Sequence, residues 1–322
     1  MRNVFLASLL IFLVSCGQTE KAKTLKLAHG LDPTHPVHKG MVYMAHKLEE
    51  KSGGKLTMSI YPSGQLGSEQ QCVELLQIGS LAITKVSAAV LESFTNNFQV
   101  LGLPYVFRSK EHSFNVLDGE VGKQLLQSTT PFKIRGLCFY DAGARSFYTI
   151  DQPINSPDDL VGMKIRVMKS QTAMNMIKAM GGSPTPISYG ELYTALQSGV
   201  VDGAENNPPS LYTSRHYEVC KHYSLDEHTR VPDVLVISTV VWDSLTDQEK
   251  KWLQEAADES VQVQREYWAE SEAESLRIVQ EEGVTITYPD KEPFAAKVQD
   301  MLDAYKSEPE LYKLIQQIRE VE

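Results

Sequence analysis

Apolar and polar residues alternate with two different periods along the first part of the chain. Thr24–Ala28 and Leu56–Tyr61 alternate at every second position, as half-buried strands do, and Leu81–Val86 is predicted to be a third strand. Between them, Val37–Lys51 and Gln70–Ile78 carry the apolar spacing of amphipathic helices. The order strand, helix, strand, helix, strand predicts a parallel sheet covered by helices.

A second alternation of strands and helices begins near residue 145. Ser146–Ile150 and Lys164–Val167 are predicted strands, and Ser183–Ile187 is predicted to be extended. Gln171–Met180 and Tyr189–Ser198 are predicted helices. Because the same order of elements starts again, we expect a second α/β domain.

Longer elements are predicted around and after these domains. Glu111–Leu126 is predicted to be one helix and Val231–Val241 one long buried strand. Thr246 and Glu249 form the Thr-x-x-Glu pattern of a capping box, at the start of a helix that can continue to Glu282. Such a helix is roughly 50 Å long at 1.5 Å per residue, so we expect it to span both domains.

Length and charge limit the possible functions. The chain has 322 residues, enough for two ordinary domains. Its formal net charge of −10 argues against nucleic acid as a partner, since nucleic-acid binders present a basic face. A local arginine pair can still bind a small anion on an acidic protein.

The N-terminus is predicted to be a targeting segment. Met1–Asn3 is a short cationic start, Val4–Val14 is an apolar run too short to span a membrane, and Cys16 follows. This pattern resembles the bacterial lipoprotein box, which implies loss of residues 1–15, lipid attachment at Cys16 and a tether over residues 16–23. A plain signal peptide with a coincidental cysteine is the alternative. The expected location is the periplasm or cell envelope, with anchoring through Cys16.

Three further cysteines do not suggest a metal or redox centre. Cys72, Cys138 and Cys220 are an odd number and are widely separated, without the close spacing of zinc or redox motifs. Cys138 lies in an apolar run and is expected to be a buried small hydrophobic residue. Whether two of the three form a disulfide is left open, and neither a metal nor a cofactor is predicted.

The stretch from Gly143 to Pro208 carries the candidate chemistry. Arg145 and Arg166 lie beside strand-like apolar runs, and the turn Glu205-Asn206-Asn207 follows a predicted helix. Arginine presents a planar fork of donors that can bind a carboxylate through two hydrogen bonds. We therefore predict a binding site for a small organic acid.

Motifs along nearly the whole chain resemble the extracytoplasmic solute-binding proteins of tripartite ATP-independent periplasmic (TRAP) transporters. They occur in the order found in that family. The motifs are Pro62-Ser-Gly-Gln-Leu-Gly67, Leu103-Pro104-Tyr105, Gly143-Ala144-Arg145, Ile154 through Arg166-Val167, Pro184-Thr-Pro-Ile187 and Glu191 through Asn206.

The resemblance implies an α/β fold of two lobes, a type II-like periplasmic-binding-protein fold with a long hinge-spanning helix. Lobe I is expected to contain residues 24–143 and about 232–271. Lobe II is expected to contain residues 144–231 and about 272–322. It also implies a non-enzymatic role, in which the protein delivers an acidic solute to the TRAP permease subunits in the membrane.

Three site residues follow from the matching motifs. In the family, an arginine on the Lys-x-Arg-Val strand holds the ligand carboxylate, which corresponds to Arg166. A second arginine corresponds to Arg145, and the asparagine of the Glu-Asn motif to Asn206. The alternatives are a surface ion pair for Arg166 and a hinge salt bridge for Arg145.

Asn207, Glu69 and His35 are additional candidates for ligand binding. Asn207 can contact a ligand hydroxyl or cap the next helix. Glu69 begins a helix, so it can contact the ligand or interact with the helix dipole. His35 lies in the first strand-to-helix loop, where ligands bind in open α/β sheets, although a solvated histidine is the alternative.

The polar residues after Asn207 resemble the subgroup that binds hexuronates such as glucuronate and galacturonate. A sugar acid needs one carboxylate site and several hydroxyl partners, which Asn, Glu, His and Asp side chains supply. A dicarboxylate, keto acid or sialic acid is the alternative ligand on the same scaffold. A ligand-presenting sensor and a glycosidase with Glu69 and Glu205 as its carboxylate pair are alternatives from other classes.

Overall fold

The computed structural model of the chain describes residues 22–322. The predicted signal peptide and Cys16 lie outside these residues. Within the described part, no helix is both long enough and apolar enough to cross a membrane.

Residues 22–322 form eleven strands, most of them four to seven residues long. The strands are β1 (Lys23–Ala28), β2 (Leu56–Tyr61), β3 (Ile83–Ser87), β4 (Ile134–Tyr140), β5 (Arg145–Thr149), β6 (Lys164–Val167), β7 (Ser183–Pro186), β8 (Gly203–Asn206), β9 (His222–Thr229), β10 (Asp233–Ser238) and β11 (Thr285–Thr287).

The same residues form thirteen α-helices and several short 3₁₀ turns. The helices are α1 (Pro36–Ser52), α2 (Glu69–Gln77), α3 (Ala88–Leu91), α4 (Lys110–Asp118), α5 (Glu120–Ser128), α6 (Gln171–Ala179), α7 (Leu192–Gln197), α8 (Pro208–Thr213), α9 (Thr239–Asp243), α10 (Asp247–Glu281), α11 (Glu292–Lys297), α12 (Gln299–Ala304) and α13 (Pro309–Glu320).

The strands pair into two sheets, as the two alternations in the sequence predicted. The first sheet has the order β2-β1-β3-β10-β4, and β10 runs antiparallel to both of its neighbours. The second sheet has the order β11-β9-β5-β8-β6-β7, with β5 antiparallel to β8 and β9. The chain enters the second sheet after β4 and returns to the first sheet at β10, so two short segments connect the sheets.

Gly143 shows how closely the first of these connections packs. Its φ angle is +60°, and an added Cβ would lie 2.8 Å from the Trp268 ring of α10. A left-handed conformation and a close aromatic neighbour together require glycine at this position.

Helix α10 contacts both halves of the molecule, and this confirms the prediction of a long spanning helix. It has 35 residues, and Thr246 and Glu249 form the predicted capping box at its start. Leu253, Ala256 and Trp268 are buried in the core of the first sheet. Val279 is buried in the core of the second sheet. The fold is therefore an α/β fold of two sheets with one long helix that contacts both, as expected.

Two predicted elements have different bounds. The predicted helix Glu111–Leu126 is divided into α4 and α5 at Gly119, whose backbone is extended at φ −82° and ψ −167°. An added Cβ on Gly119 would lie 2.7 Å from the Asn115 carbonyl oxygen. The predicted strand Val231–Val241 ends at Ser238, because that side chain accepts a hydrogen bond from the Val241 N–H and caps α9.

The division of the chain into lobes stays a prediction. The packing of the C-terminal helix α13 concerns the last predicted segment of lobe II, about residues 272–322. Leu311, Leu314 and Ile318 of α13 are buried in a core that includes Phe98 and Val116, beside the first sheet. This packing argues for grouping α13 with the first lobe rather than the second. The three cysteines of the described residues, Cys72, Cys138 and Cys220, are buried and free.

Candidate functional site

A cleft of about 550 Å³ lies between the two sheets. It is lined at the end of β3 by Ser87, at the end of β6 by Met168 and at the end of β8 by Asn206. The carboxyl ends of strands in an open α/β sheet are the usual position of a ligand site. All six ligand-binding candidates from the sequence line this cleft: His35, Glu69, Arg145, Arg166, Asn206 and Asn207.

Arg166 is a buried cation without a counter-ion among residues 22–322. The residue is 1% exposed on β6, and its Nε donates to the Ile187 carbonyl oxygen at 2.9 Å. Its guanidinium lies 5.9 Å from the centre of the Tyr189 ring, and Nη1 has no hydrogen-bond partner within the described chain. Burial disfavours the charged form and lowers the pKa of Arg166 from its usual value. The surface ion pair considered from the sequence is therefore wrong.

Arg145, by contrast, is paired with a carboxylate. Its guanidinium contacts both carboxylate oxygens of Glu205, and Nη2 also donates to the Glu205 backbone oxygen at 2.7 Å. Nη1 donates to Asn206 Oδ1 at 2.7 Å. Burial disfavours the cation, but Glu205 outweighs this effect and raises the pKa of Arg145. This ion pair joins the neighbouring strands β5 and β8 of the second sheet, so it is not the hinge salt bridge considered from the sequence, and Arg145 also lines the cleft.

The ion pair continues into two further buried residues of β9. His228 Nδ1 lies 2.7 Å from Asp226 Oδ2, and His228 Nε2 lies 3.6 Å from Glu205 Oε2. Burial alone would lower the pKa of His228, but Asp226 and Glu205 outweigh it and raise the pKa to about 9. Burial likewise raises the pKa of Glu205, whereas Arg145 and His228 together lower it to about 2. Arg145, Glu205, His228 and Asp226 are called the Arg145 network below.

Asn206 and Asn207 have different environments. Asn206 Oδ1 accepts hydrogen bonds from Arg145 and from the Asn207 N–H at 3.0 Å, while its amide nitrogen has no partner within residues 22–322. Asn207 caps α8, since its Oδ1 accepts from the Ser210 N–H at 2.9 Å and its Nδ2 donates to the Ala142 oxygen at 3.0 Å. Of the two functions considered for Asn207, the geometry favours the helix cap.

His35 joins the two halves of the cleft. Its Nδ1 accepts from the Val37 N–H at 3.2 Å at the start of α1, which leaves the proton on Nε2. Nε2 lies 3.3 Å from Ser210 Oγ on α8, and the ring packs edge-on against Trp268. Burial lowers the pKa of His35 well below its usual value, so the imidazole is neutral. A solvated histidine, the alternative from the sequence, is wrong.

Glu69 is paired with a lysine that sequence reasoning missed. Lys85 Nζ lies 2.6 Å from Glu69 Oε1 and 3.1 Å from Asp233 Oδ1. The second Glu69 oxygen accepts from the Ser87 N–H at 3.2 Å. Lys85 and Asp233 each stand alone as charged residues within apolar strand segments, and that isolation could have identified them. Burial alone lowers the pKa of Lys85, but its two carboxylate partners outweigh this and raise it.

Tyr189 is a third residue of the cleft that sequence reasoning missed. It lines the cleft, faces the Arg166 guanidinium, and hydrogen-bonds through its hydroxyl to Ser214 Oγ at 2.5 Å. The sequence signal was weak, because Tyr189 lies in a 3₁₀ turn at the start of a predicted helix. Within residues 22–322, no group of His, Cys, Asp and Glu side chains is arranged to hold a metal ion.

A cleft between two sheets, lined by a buried cation without a counter-ion in the described chain, is an arrangement suited to holding a small solute. A family model for bacterial extracellular solute-binding proteins, family 7, matches residues 27–308. The chain therefore belongs to this family, that of the TRAP periplasmic solute-binding proteins, whose members are receptors and not enzymes. Glu69 and Glu205, the pair in the glycosidase alternative, are held in separate ion pairs with Lys85 and Arg145.

Similar proteins include one of unassigned function and two with bound sugar acids. The uncharacterized protein YiiZ of Salmonella typhimurium is 40% identical over 92% of this chain and 90% of its own length. A TRAP periplasmic solute-binding protein from Bradyrhizobium sp. BTAi1, in complex with α/β-D-galacturonate, is 38% identical with a TM-score of 0.90, over 92% of this chain and 99% of that chain. One from Anaerococcus prevotii, with bound α/β-D-glucuronate, is 38% identical with a TM-score of 0.87, over 92% and 98% of the two chains.

Proposed function

We propose that this protein binds a hexuronate, such as glucuronate or galacturonate, in the cleft between its two sheets. Arg166 is the single observation that carries the proposal. A buried guanidinium without a counter-ion is costly unless a ligand supplies the missing charge. A carboxylate can occupy two donors of its planar fork, and exclusion of water strengthens such a bond.

The other cleft residues have the polar groups that sugar hydroxyls need. The amide nitrogen of Asn206 can donate a hydrogen bond, and the Glu69 carboxylate can accept one. The neutral ring of His35 and the Asn207 cap also line the cleft, and we assign both a positioning role. Arg145 acts on the ligand through Asn206, whose oxygen it holds. The similar proteins with bound galacturonate and glucuronate support the same class of ligand.

The proposed role is delivery of the sugar acid to a TRAP permease in the membrane. Membership of the family supports this role, since its receptors operate outside the cytoplasm. We also propose that Cys16 carries a lipid that keeps the protein at the membrane surface. Incorporation of radiolabelled palmitate into the expressed wild-type chain, and its loss in Cys16→Ser, tests the anchor independently of the ligand.

Thermal unfolding of the mature protein with a panel of acids tests the ligand. The panel contains glucuronate, galacturonate, sialic acid, a 2-keto acid and succinate, each at the same concentration. We expect the two hexuronates to raise Tm most, because at equal ligand concentration the stabilisation of the folded state increases with the logarithm of the affinity. The proposal would be contradicted if succinate alone raised Tm, or if neither hexuronate did. Analysis of the incubated hexuronate for new products separates binding from turnover.

A further inference from the structure

Lys85, Glu69 and Asp233 form a charged group on the first-sheet side of the cleft, here called the Lys85 group. Lys85 lies on β3 and Asp233 begins the neighbouring antiparallel strand β10, where it is paired with Ser87. Side chains two residues apart on a strand lie on the same face, so the diagonal pair of Lys85 and Asp233 meets there. Lys85 is 3% exposed and Asp233 is 7% exposed, and both line the cleft.

The hydrogen bonds within the Lys85 group leave some donors and acceptors of these cleft-lining residues without a partner in the described chain. Lys85 has three donors, of which Glu69 and Asp233 each take one. Glu69 accepts from Lys85 at one oxygen and from the Ser87 N–H at the other. Asp233 accepts at Oδ1, whereas no side chain or backbone N–H within residues 22–322 donates to its Oδ2. One ammonium donor and one carboxylate oxygen therefore remain for a ligand.

The charge of the group differs in sign from that of Arg166. One cation with two carboxylates gives a formal net charge of −1, whereas Arg166 is a lone positive charge without a partner in the described chain. A donor beside an acceptor suits neighbouring hydroxyls, which can donate to the carboxylate and accept from the ammonium. A second ligand carboxylate at this position would meet a like charge in a partly desolvated cleft.

We infer that the Lys85 group is the specificity determinant of the cleft: it accepts the hydroxyl-bearing part of a sugar acid held at Arg166 and rejects ligands with a second carboxylate there. This inference rests on the proposed function and deepens it, because it specifies a polyhydroxylated monocarboxylate. Specificity of this kind arises from a group that disfavours the wrong ligand as well as from contacts to the right one.

Calorimetric titration of the full mature protein with D-glucuronate and D-glucarate tests the inference. Glucarate keeps the hydroxylated six-carbon chain but carries carboxylates at both ends. We expect the wild type to bind glucuronate about tenfold or more tightly than glucarate, and Asp233→Asn to reduce that ratio about tenfold. Any preference for a ring over an open chain is common to wild type and variant, so it cancels in the comparison.

The control is Asp118→Asn. It removes a carboxylate of α4 that pairs with Arg265 of α10 outside the cleft, so the ratio of the two affinities should stay unchanged. If Asp233→Asn does not fold, Glu69→Gln serves as the second variant, because it removes the charge of the more exposed partner of Lys85. It is expected to lower the ratio of glucuronate to glucarate affinity in the same way. Equal binding of the two ligands by the wild type, or an unchanged ratio in both variants, would overturn the inference. A wild type that binds no sugar acid at all would instead overturn the proposed function.

Discussion

Arg145 and Arg166 are two buried arginines on either side of β8, and they have opposite environments. Arg145 is hydrogen-bonded to Glu205 and Asn206, and the negative charge of Glu205 raises the pKa of Arg145. Arg166 donates to a single backbone oxygen and faces an aromatic ring, and burial lowers its pKa. Two residues that look equivalent in the sequence thus differ in their pairing, and we propose that Arg145 stabilises the fold while Arg166 binds the ligand.

The largest expected effect is on the stability of the ligand-free protein. We expect Arg145→Met to lower the free energy of unfolding by about 3–5 kcal/mol, because Glu205 is left as a buried charge without its main partner. Urea denaturation of the ligand-free protein measures the change. The double variant Arg145→Met/Glu205→Gln should recover part of the loss. A single variant as stable as the wild type would show that the Arg145 network does not hold the fold.

Arg166 should show the opposite result. We expect Arg166→Met to weaken hexuronate binding by about 3 kcal/mol, roughly a hundredfold or more, since the ligand carboxylate loses its buried partner. The ligand-free protein should unfold at an unchanged or higher urea concentration, because an uncompensated buried cation has been removed.

Arg166→Lys is the matched control, since it keeps the charge but loses the planar fork; it should bind with intermediate affinity. Titration calorimetry and urea denaturation of the same samples provide both measurements. Unchanged affinity in Arg166→Met would refute the role assigned to Arg166.

The smallest effect is a pH dependence of stability that His228 contributes through the Arg145 network. The folded-state pKa of His228 is raised to about 9 from an ordinary value of 6.5. Its contribution to stability is therefore fully present below pH 6.5 and is lost as the pH rises through about 9. We expect a loss on the order of 2–3 kcal/mol between pH 6.5 and 9.5, by urea denaturation.

Two variants show whether this pH dependence belongs to the network. His228→Gln should flatten the dependence, while Arg166→Met should keep it, because Arg166 lies outside the network. A flat profile in the wild type would mean that His228 is neutral between its two carboxylates.

The sequence predicted most elements of the fold because local signals agreed with tertiary packing. β2 and β6 have the predicted bounds, and the capping box at Thr246 and Glu249 begins α10 as expected. The errors arose where one residue overrode the periodicity around it. Gly119 divides a predicted helix because its backbone is extended, and Ser238 ends a predicted strand because it caps a helix.

The site was harder to predict than the fold. The sequence identified residues that line the cleft, but it did not determine which of them have free hydrogen-bonding groups. Asn206 and Asn207 are adjacent in the chain, yet one keeps an amide nitrogen without a partner in the described structure and the other caps α8. Lys85 and Asp233 are 148 residues apart, so their pairing could not be inferred from spacing.

By itself, the sequence determined the alternation of strands and helices, the long spanning helix and an arginine-rich candidate site for a small acid. These features depend on periodicity, capping and motif order, which are local properties of the chain. Only the tertiary structure decided that Arg145 is paired and Arg166 is not, and that Lys85 lies between two carboxylates. The physical reason is that the energy of a buried charge depends on which groups the fold places within a few ångströms of it.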